Sequence, residues 1–296
     1  MGCYNWKRGG IINLMETVTT DGLFENYSVL MSVYINDVRD WVKEAIESML
    51  NQTVRTNDFV VICDGQVKKE VDDLLSDYEN RLPDIFHVYR KDQNEGLGPT
   101  LAFGITKCKN ELVARMDADD ISKIDRCEKE LSFFASNPQL DVVGCWEDEF
   151  ENLPENRIAI HKVPTGVSNV YSSMKRRCSL LHPTVIYKKS SVIQCGNYHD
   201  VRLFEDYDLF MRMIVECEML GDNVPESLYL MRVNDDFYRR RGGWKYMRTV
   251  VSFKKEQYKK KHISFKDYFV SKTAHVIVCL LPNRVRKWFY LKMLRK

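Results

Sequence analysis

A chain of 296 residues, 44% hydrophobic and 11% aromatic, can bury one large α/β domain or two small ones, and its composition excludes a disordered or low-complexity chain. The net charge of +2 hides an asymmetry. Residues 239–296 hold 18 Lys/Arg against only Glu256 and Asp267, which makes them +16 and the rest of the chain −14. A basic end on an acidic body points to a polyanionic partner, nucleic acid or an anionic membrane surface.

Nine cysteines without a C-x-x-C pair argue against a zinc site or a secreted disulfide framework and for reduced cytosolic thiols. No run reaches about 18 apolar residues, so no spanning helix is expected. The N-terminus has Trp6, Lys7 and Arg8 but no apolar signal core. "MGCYNW" lacks the Ser/Thr of a myristoylation motif at its sixth position. Residues 1–26 read as a loose leader, with Met15 an alternative start.

In chain order, "YSVLMSVY" (27–34) reads as a strand buried on both faces. Asp37 can cap the helix expected over 38–50, where Val38, Trp41, Val42, Ala45, Ile46, Met49 and Leu50 form one apolar stripe. "DFVVICDG" (58–65) is a second strand, 68–80 a charged amphipathic helix, and "IFHVYR" (85–90) a third strand. "NEGLGPTLAFGITKC" (94–108) is a Gly-rich turn running into a helix. "ELVARM" (111–116) is a fourth strand, 125–136 a helix ended by Asn137-Pro138, and "DVVGCW" (141–146) a fifth strand. This alternation predicts a doubly wound, mostly parallel, Rossmann-like sheet, with ligands at the carboxyl ends of its strands. Beyond it, "LLHPTVIYKKSSV" (180–192) predicts a strand and turn. "LFEDYDLFMRMIVEC" (203–217) predicts a helix with Phe210, Met213, Ile214 and Cys217 on one side.

Asp64 and the cluster Asp117, Asp119 and Asp120 fall at strand ends. Three acids in four residues are commonly a solvated turn or a helix cap. At the rim of a sheet, however, like charges repel where water is partly excluded, and a cation relieves the cost. Mg²⁺ or Mn²⁺ suits oxygen ligands, and such an ion offsets charge on a leaving diphosphate.

The stretches "YSVLMSVY", "DFVVICDG", "NEGLGPTLAFGI", "ARMDADDIS", "HPTVIYKKS" and "FEDYDLFMRM" stand in the order and spacing of family 2 glycosyltransferases, and resemble bacterial enzymes of capsule, exopolysaccharide and O-antigen assembly. The resemblance spans about residues 27–235. It implies a GT-A fold over 27–238, a nucleotide-diphosphate sugar donor, commonly a UDP-sugar, a divalent metal, and inverting transfer to a hydroxyl. By position, Val33 and Tyr34 would line the nucleotide pocket, Asp64 would meet the base, and Gly96 would let backbone approach the nucleotide. Asp117 would sit near the ribose and Asp119 on the metal; Asp120 either joins them or caps the next helix. Asp206 would be the general base, with Glu205 orienting it or an acceptor hydroxyl. His182 is either a structural histidine or an acceptor contact. Arg240 or Arg241 would steady the departing diphosphate, or belong to a solvated loop. Relatives often carry a His near position 234, and Asn234 puts that metal ligand in doubt.

The tail, 274–296, has no acid. Val285, Trp288, Phe289 and Met293 can share a helical face while Arg284, Lys287, Lys292, Arg295 and Lys296 crowd around it. This describes a helix lying in a membrane interface, or one docked on the domain. The expectation is a helical, basic extension over 239–296 that associates with the membrane, placing the enzyme on the cytoplasmic face beside a lipid-linked oligosaccharide acceptor. Two rivals stand. A sugar-phosphate nucleotidyltransferase would want a Gly-rich, Arg-bearing turn after the first strand, where this chain has "INDVRD". A nucleic-acid-binding protein would explain the basic end, but no recognised motif supports it.

Overall fold

The computed structural model describes residues 26–295. The leader before Asn26, Met15 included, and Lys296 lie outside the described residues. The chain runs β1 (Tyr27–Val33), α1 (Arg39–Leu50), β2 (Asp58–Cys63), α2 (Lys69–Arg81), β3 (Phe86–Arg90), α3 (Leu97–Lys107), β4 (Leu112–Met116) and β5 (Ile121–Ser122). It continues with α4 (Arg126–Ser136), β6 (Val142–Phe150), β7 (Arg157–His161), α5 (Val167–Met174), β8 (Ile186–Lys188), α6 (Lys189–Gln194), α7 (Glu205–Met211) and β9 (Gly221–Arg232). The basic extension adds α8 (Asp235–Arg240), α9 (Gly243–Lys259), α10 (Phe265–Leu280) and α11 (Asn283–Phe289).

β1 is apolar along its length because both of its faces are covered. Val29, Met31 and Val33 join one core with Val42 and Ile46 of α1, Leu75 of α2 and Leu131 of α4. Leu30 joins the other, with Leu101 of α3, Val170 of α5, Leu209 of α7 and Phe253 of α9. Alternate side chains thus feed two layers of helices, and the sheet is doubly wound.

The strand order is β3-β2-β1-β4-β8-β6-β9-β5, with β7 beside β6. β3, β2, β1 and β4 are mutually parallel, as expected for strand–helix–strand crossovers. The sheet is mixed beyond β4. β6 does not pair with β4; the three-residue β8 lies between them and runs antiparallel to both. β6 and β9 are parallel again.

The helix expected over 203–217 runs from Glu205 to Glu216, but its last turn is π instead of α. Arg212–Glu216 form a π turn after α7. The extra residue rotates the chain beyond it, so Phe210, Met213 and Ile214 are buried while Cys217 is exposed.

Gly98, near the start of α3, packs under the loop that leads into α7. A Cβ there would sit 2.3 Å from the His199 carbonyl oxygen and 3.2 Å from Glu205 Cγ. Gly98→Ala is expected to cost about 1–3 kcal/mol, read from the denaturant midpoint, and to shift Glu205. An unchanged midpoint would show that the loop yields freely.

The basic extension folds onto the body. Phe253 of α9 stacks on Phe204 at 4.6 Å with an 8° interplanar angle. Arg286 of α11 is buried and donates to the carbonyls of Tyr238 (3.0 Å), Cys279 (3.2 Å) and Leu281 (2.6 Å). Arg295 is buried against Glu149. The tail is therefore docked through Arg286 and Arg295, yet Val285, Trp288 and Met293 stay exposed on it.

Candidate active site

A pocket of about 440 Å³ opens at the carboxyl ends of β1, β2 and β4. Val33 and Tyr34 line it, as do Asp64, Gly96, Asp117 and Asp119. Asp64 is buried and tethers the Gly-rich turn: one carboxylate oxygen accepts the Glu95 N–H at 2.9 Å, the other the Gly96 N–H at 3.0 Å. Gly96 holds φ +94°, a left-handed conformation that a side chain would resist. Each Asp64 oxygen has capacity for a further hydrogen bond, and Lys91 Nζ stands 3.9 Å from one of them.

Asp37 does not cap α1. Val38 holds the N-cap position, and Asp37 instead accepts the Tyr34 N–H at 2.8 Å while lining this pocket. Burial, and then the nearby Asp119 and Asp117, push its carboxyl up to about 7. Its sequence position before a helix concealed this.

The carboxylates of Asp117, Asp119 and Asp120 lie within 4.8 Å of one another. Arg115, fully buried in β4, forms an ion pair with Asp117. A charged side chain inside an otherwise apolar strand was the signal for that partner. Burial and then Asp117 push the Asp119 carboxyl up to about 6; Asp119 stands open to the pocket, so water screens part of that shift. Asp120 does not cap α4, whose N-cap position is Asp125. It is buried, accepts the Arg232 N–H at 2.7 Å, and is raised by burial and by its two acidic neighbours. An all-oxygen, mutually repelling donor set of this kind fits a hard dication. Asn234 is not aimed at it; its side chain caps α8 by accepting the Phe237 N–H at 3.0 Å.

A larger cavity of about 850 Å³ adjoins the pocket and shares Leu97 and Asp117 with it. Glu205 and Asp206, the first residues of α7, line it. Asp206 accepts the Tyr207 N–H at 2.7 Å, yet burial raises its pKa, and burial likewise raises that of Glu205. His182 is buried on the same wall, with Nε2 2.8 Å from the Tyr198 hydroxyl and its ring edge-on to Tyr198 and Phe210. Burial, then Arg115, hold it well below the usual histidine range, so it is neutral. His182 is thus a core histidine that also reaches the cavity. Arg240 and Arg241 part company, with Arg240 on the smaller pocket and Arg241 on the larger cavity.

Residues 28–198 match the family described as Glycosyl transferase family 2. The chain belongs to glycosyltransferase family 2. It is 32% identical over 271 residues, 91% of this chain and 97% of the relative, to an Escherichia coli UDP-Gal:alpha-D-GlcNAc-diphosphoundecaprenol beta-1,3-galactosyltransferase. It is 28% identical over 269 residues, 90% of this chain and 98% of the relative, to the amylovoran biosynthesis glycosyltransferase AmsE of Erwinia amylovora. A solved mannosyltransferase of Pyrobaculum calidifontis, in complex with GDP-Man and Mn²⁺, superposes with a TM-score of 0.61 at 12% identity, covering 86% of this chain and 70% of that one. This likeness carries the fold, the GT-A arrangement of the α/β sheet.

A family 2 glycosyltransferase must bring two substrates together, and two cavities meeting at Asp117 suit that task. The enzyme's larger cavity is also walled by Glu147, His161 and Arg177, none of which sequence reasoning singled out. They come from β6, β7 and the turn after α5, so no local motif joins them. Its far wall is α10 with Phe289 and Tyr290 of the tail.

Proposed function

We propose that the enzyme moves a sugar, with inversion, from a UDP-sugar to a hydroxyl of a lipid-linked glycan during surface polysaccharide assembly. The observation that carries this reading is the shared wall: Asp117 lines both the pocket that holds carboxylates suited to a cation and the cavity that holds the half-buried Asp206. The Escherichia coli relative, named for UDP-Gal and a diphosphoundecaprenol-linked sugar, supports the choice of substrates.

In this reading Val33 and Tyr34 pack the nucleoside, Asp64 takes a hydrogen bond from the base, and Asp117 stands near the ribose. Asp119, with Asp117 beside it, would hold Mn²⁺ or Mg²⁺, which when bound offsets charge on the departing diphosphate. The Arg240 guanidinium, on the same pocket, suits the phosphate oxygens. Asp206 removes the proton from the acceptor hydroxyl as its oxygen attacks the anomeric carbon opposite the leaving group, and Glu205 orients that hydroxyl. A screen of nucleotide sugars for Mn²⁺-supported hydrolysis tests the donor half. Turnover confined to UDP-sugars is expected; turnover of GDP- or dTDP-sugars alone would overturn it.

The reading assigns 27–238 to catalysis and 239–296 to an extension that rests on the inner face of the cell membrane. Among the described residues no helix is long and apolar enough to cross a membrane. Phe269 and Ile277 of α10 and Trp288 of α11 are each more than half exposed; Lys272 lies over the Phe269 ring, and Arg284, Lys287 and Lys292 flank Trp288 in the sequence. That combination suits an anionic interface. Phe269→Glu combined with Trp288→Glu should weaken binding to anionic vesicles at least tenfold in sedimentation, since each large apolar side chain contributes about 1.5–3 kcal/mol. Unchanged sedimentation would remove the membrane role. Deleting 274–296 outright is the poorer test, because Arg286 and Arg295 knit that segment into the body.

A further inference from the structure

Five arginines line the larger cavity: Arg115, Arg176, Arg177, Arg241 and Arg295. Three are matched by carboxylates: Arg115 by Asp117, Arg176 by Asp267 at 2.6 Å, and Arg295 by Glu149. Arg177 and Arg241 have no ion pair among the described residues. Arg177 donates to His161 Nε2 at 2.6 Å. Burial, then Arg295 and Arg177, hold that imidazole well below its usual range, so it is neutral, with Nδ1–H toward Glu147 at 2.8 Å. Glu147 therefore touches Arg177 only through an uncharged ring; its charge also acts on both guanidiniums from farther away, while burial pushes its own carboxyl up to about 7. Arg241 lies over the Phe237 ring at 3.6 Å and donates to the Phe237 carbonyl at 3.0 Å. Burial, with Arg295 close to both, draws the two guanidiniums below the usual arginine range. Two partly buried cations without a carboxylate in direct contact thus line one cavity, and an anion bound there would meet both.

The opposite wall is apolar. Val270, Ile277, Val278 and Leu281 come from α10 and its end, and Phe289 from the tail. Val270 and Ile277 are also exposed, at 45% and 57%, so the cavity's apolar lining runs out onto the open face of α10. A cavity with a cationic floor and an apolar wall that continues to the surface matches an amphiphile with an anionic head and a hydrocarbon chain.

We infer that Arg177 and Arg241 seat the diphosphate of a polyprenyl-type acceptor, whose chain leaves along Val270 and Ile277 of α10. This rests on the lipid-linked acceptor reading above and assigns the residues that would recognise it. Bound there, the phosphates would sit in the same cavity as Asp206, so the attached sugar would extend toward the base, while the donor's phosphates keep to the smaller pocket with Arg240.

The test is direct binding of farnesyl diphosphate to the full chain with saturating UDP and Mn²⁺ present, with farnesol and inorganic diphosphate as separate arms. Farnesyl diphosphate should bind without displacing UDP, and more tightly than either arm alone. Arg177→Gln and Arg241→Gln should each weaken it about tenfold or more, the scale of a lost hydrogen bond to a charged group, and leave UDP affinity unchanged. Ala274→Trp, which narrows the cavity without removing a charge, should weaken it too; its unchanged UDP affinity would report an intact fold. Competition by UDP, equal binding of farnesol, or Gln variants that bind like the wild type would overturn the assignment. Farnesyl diphosphate seated as expected, with no lipid-linked sugar ever glycosylated, would sink the acceptor reading and leave the anion seat. Glycosylation of lipid-linked sugars with farnesyl diphosphate binding indifferent to the substitutions would do the reverse.

Discussion

Asp206→Asn is expected to slow sugar transfer by about 10²–10⁴-fold while nucleotide-sugar binding keeps its wild-type strength. The amide preserves the volume and the hydrogen bond from the Tyr207 N–H through its carbonyl oxygen. It cannot accept a proton. Asp206 belongs to the larger cavity and not to the smaller pocket, which is why donor affinity should be spared. The pH profile is a second readout. A base works deprotonated, and burial raises this carboxyl above its usual value, so transfer should fail on acidification at a higher pH than an exposed aspartate would impose. That acidic limb should be lost in the Asn variant. Wild-type turnover, or an unaltered limb, would move the base elsewhere.

The second large effect is Asp119→Ala. Asp119 lies at the pocket mouth beside Asp117, and the two raise each other's cost in this setting. Removing one carboxylate should stabilise the empty cluster slightly, because repulsion is relieved, and abolish Mn²⁺-supported donor turnover. Calorimetric titration with Mn²⁺ and UDP should show the loss of metal-dependent nucleotide binding. The thermal midpoint should not fall, since no hydrogen bond from another residue depends on the Asp119 side chain among the described residues. Full metal-supported turnover in this variant would end the assignment of Asp119.

β1, β2, β4 and the helices between them were legible because each of these strands is covered on both faces and reads as a largely apolar run, while each helix shows one buried stripe; β3, at the sheet edge, is only partly buried and was legible from its place between two helices. β8 was legible only as a strand near a turn. Three residues carry no period, and its position between β4 and β6 is set by pairing, which composition does not encode. The smaller pocket could be read from sequence because Val33, Asp64, Gly96 and Asp117 each end or follow a strand or open a helix. The larger cavity could be read only in part. Glu205, Asp206, His182 and Arg241 stand in local stretches that the sequence singles out, whereas Glu147, His161 and Arg177 are brought to them by packing across the whole chain. Arg286 and Arg295 read in the sequence only as part of a basic tail, yet both are buried, and the fold brings the Tyr238 carbonyl to the first and the Glu149 carboxylate to the second.

Arg240 is the last residue of α8 and Arg241 its cap, so one turn of backbone governs both guanidiniums. Any shift of that turn would therefore move both guanidiniums together, one at each cavity. Were the proposed substrates to bind there, any help the first lent the second would be returned by the same factor, since linkage is reciprocal.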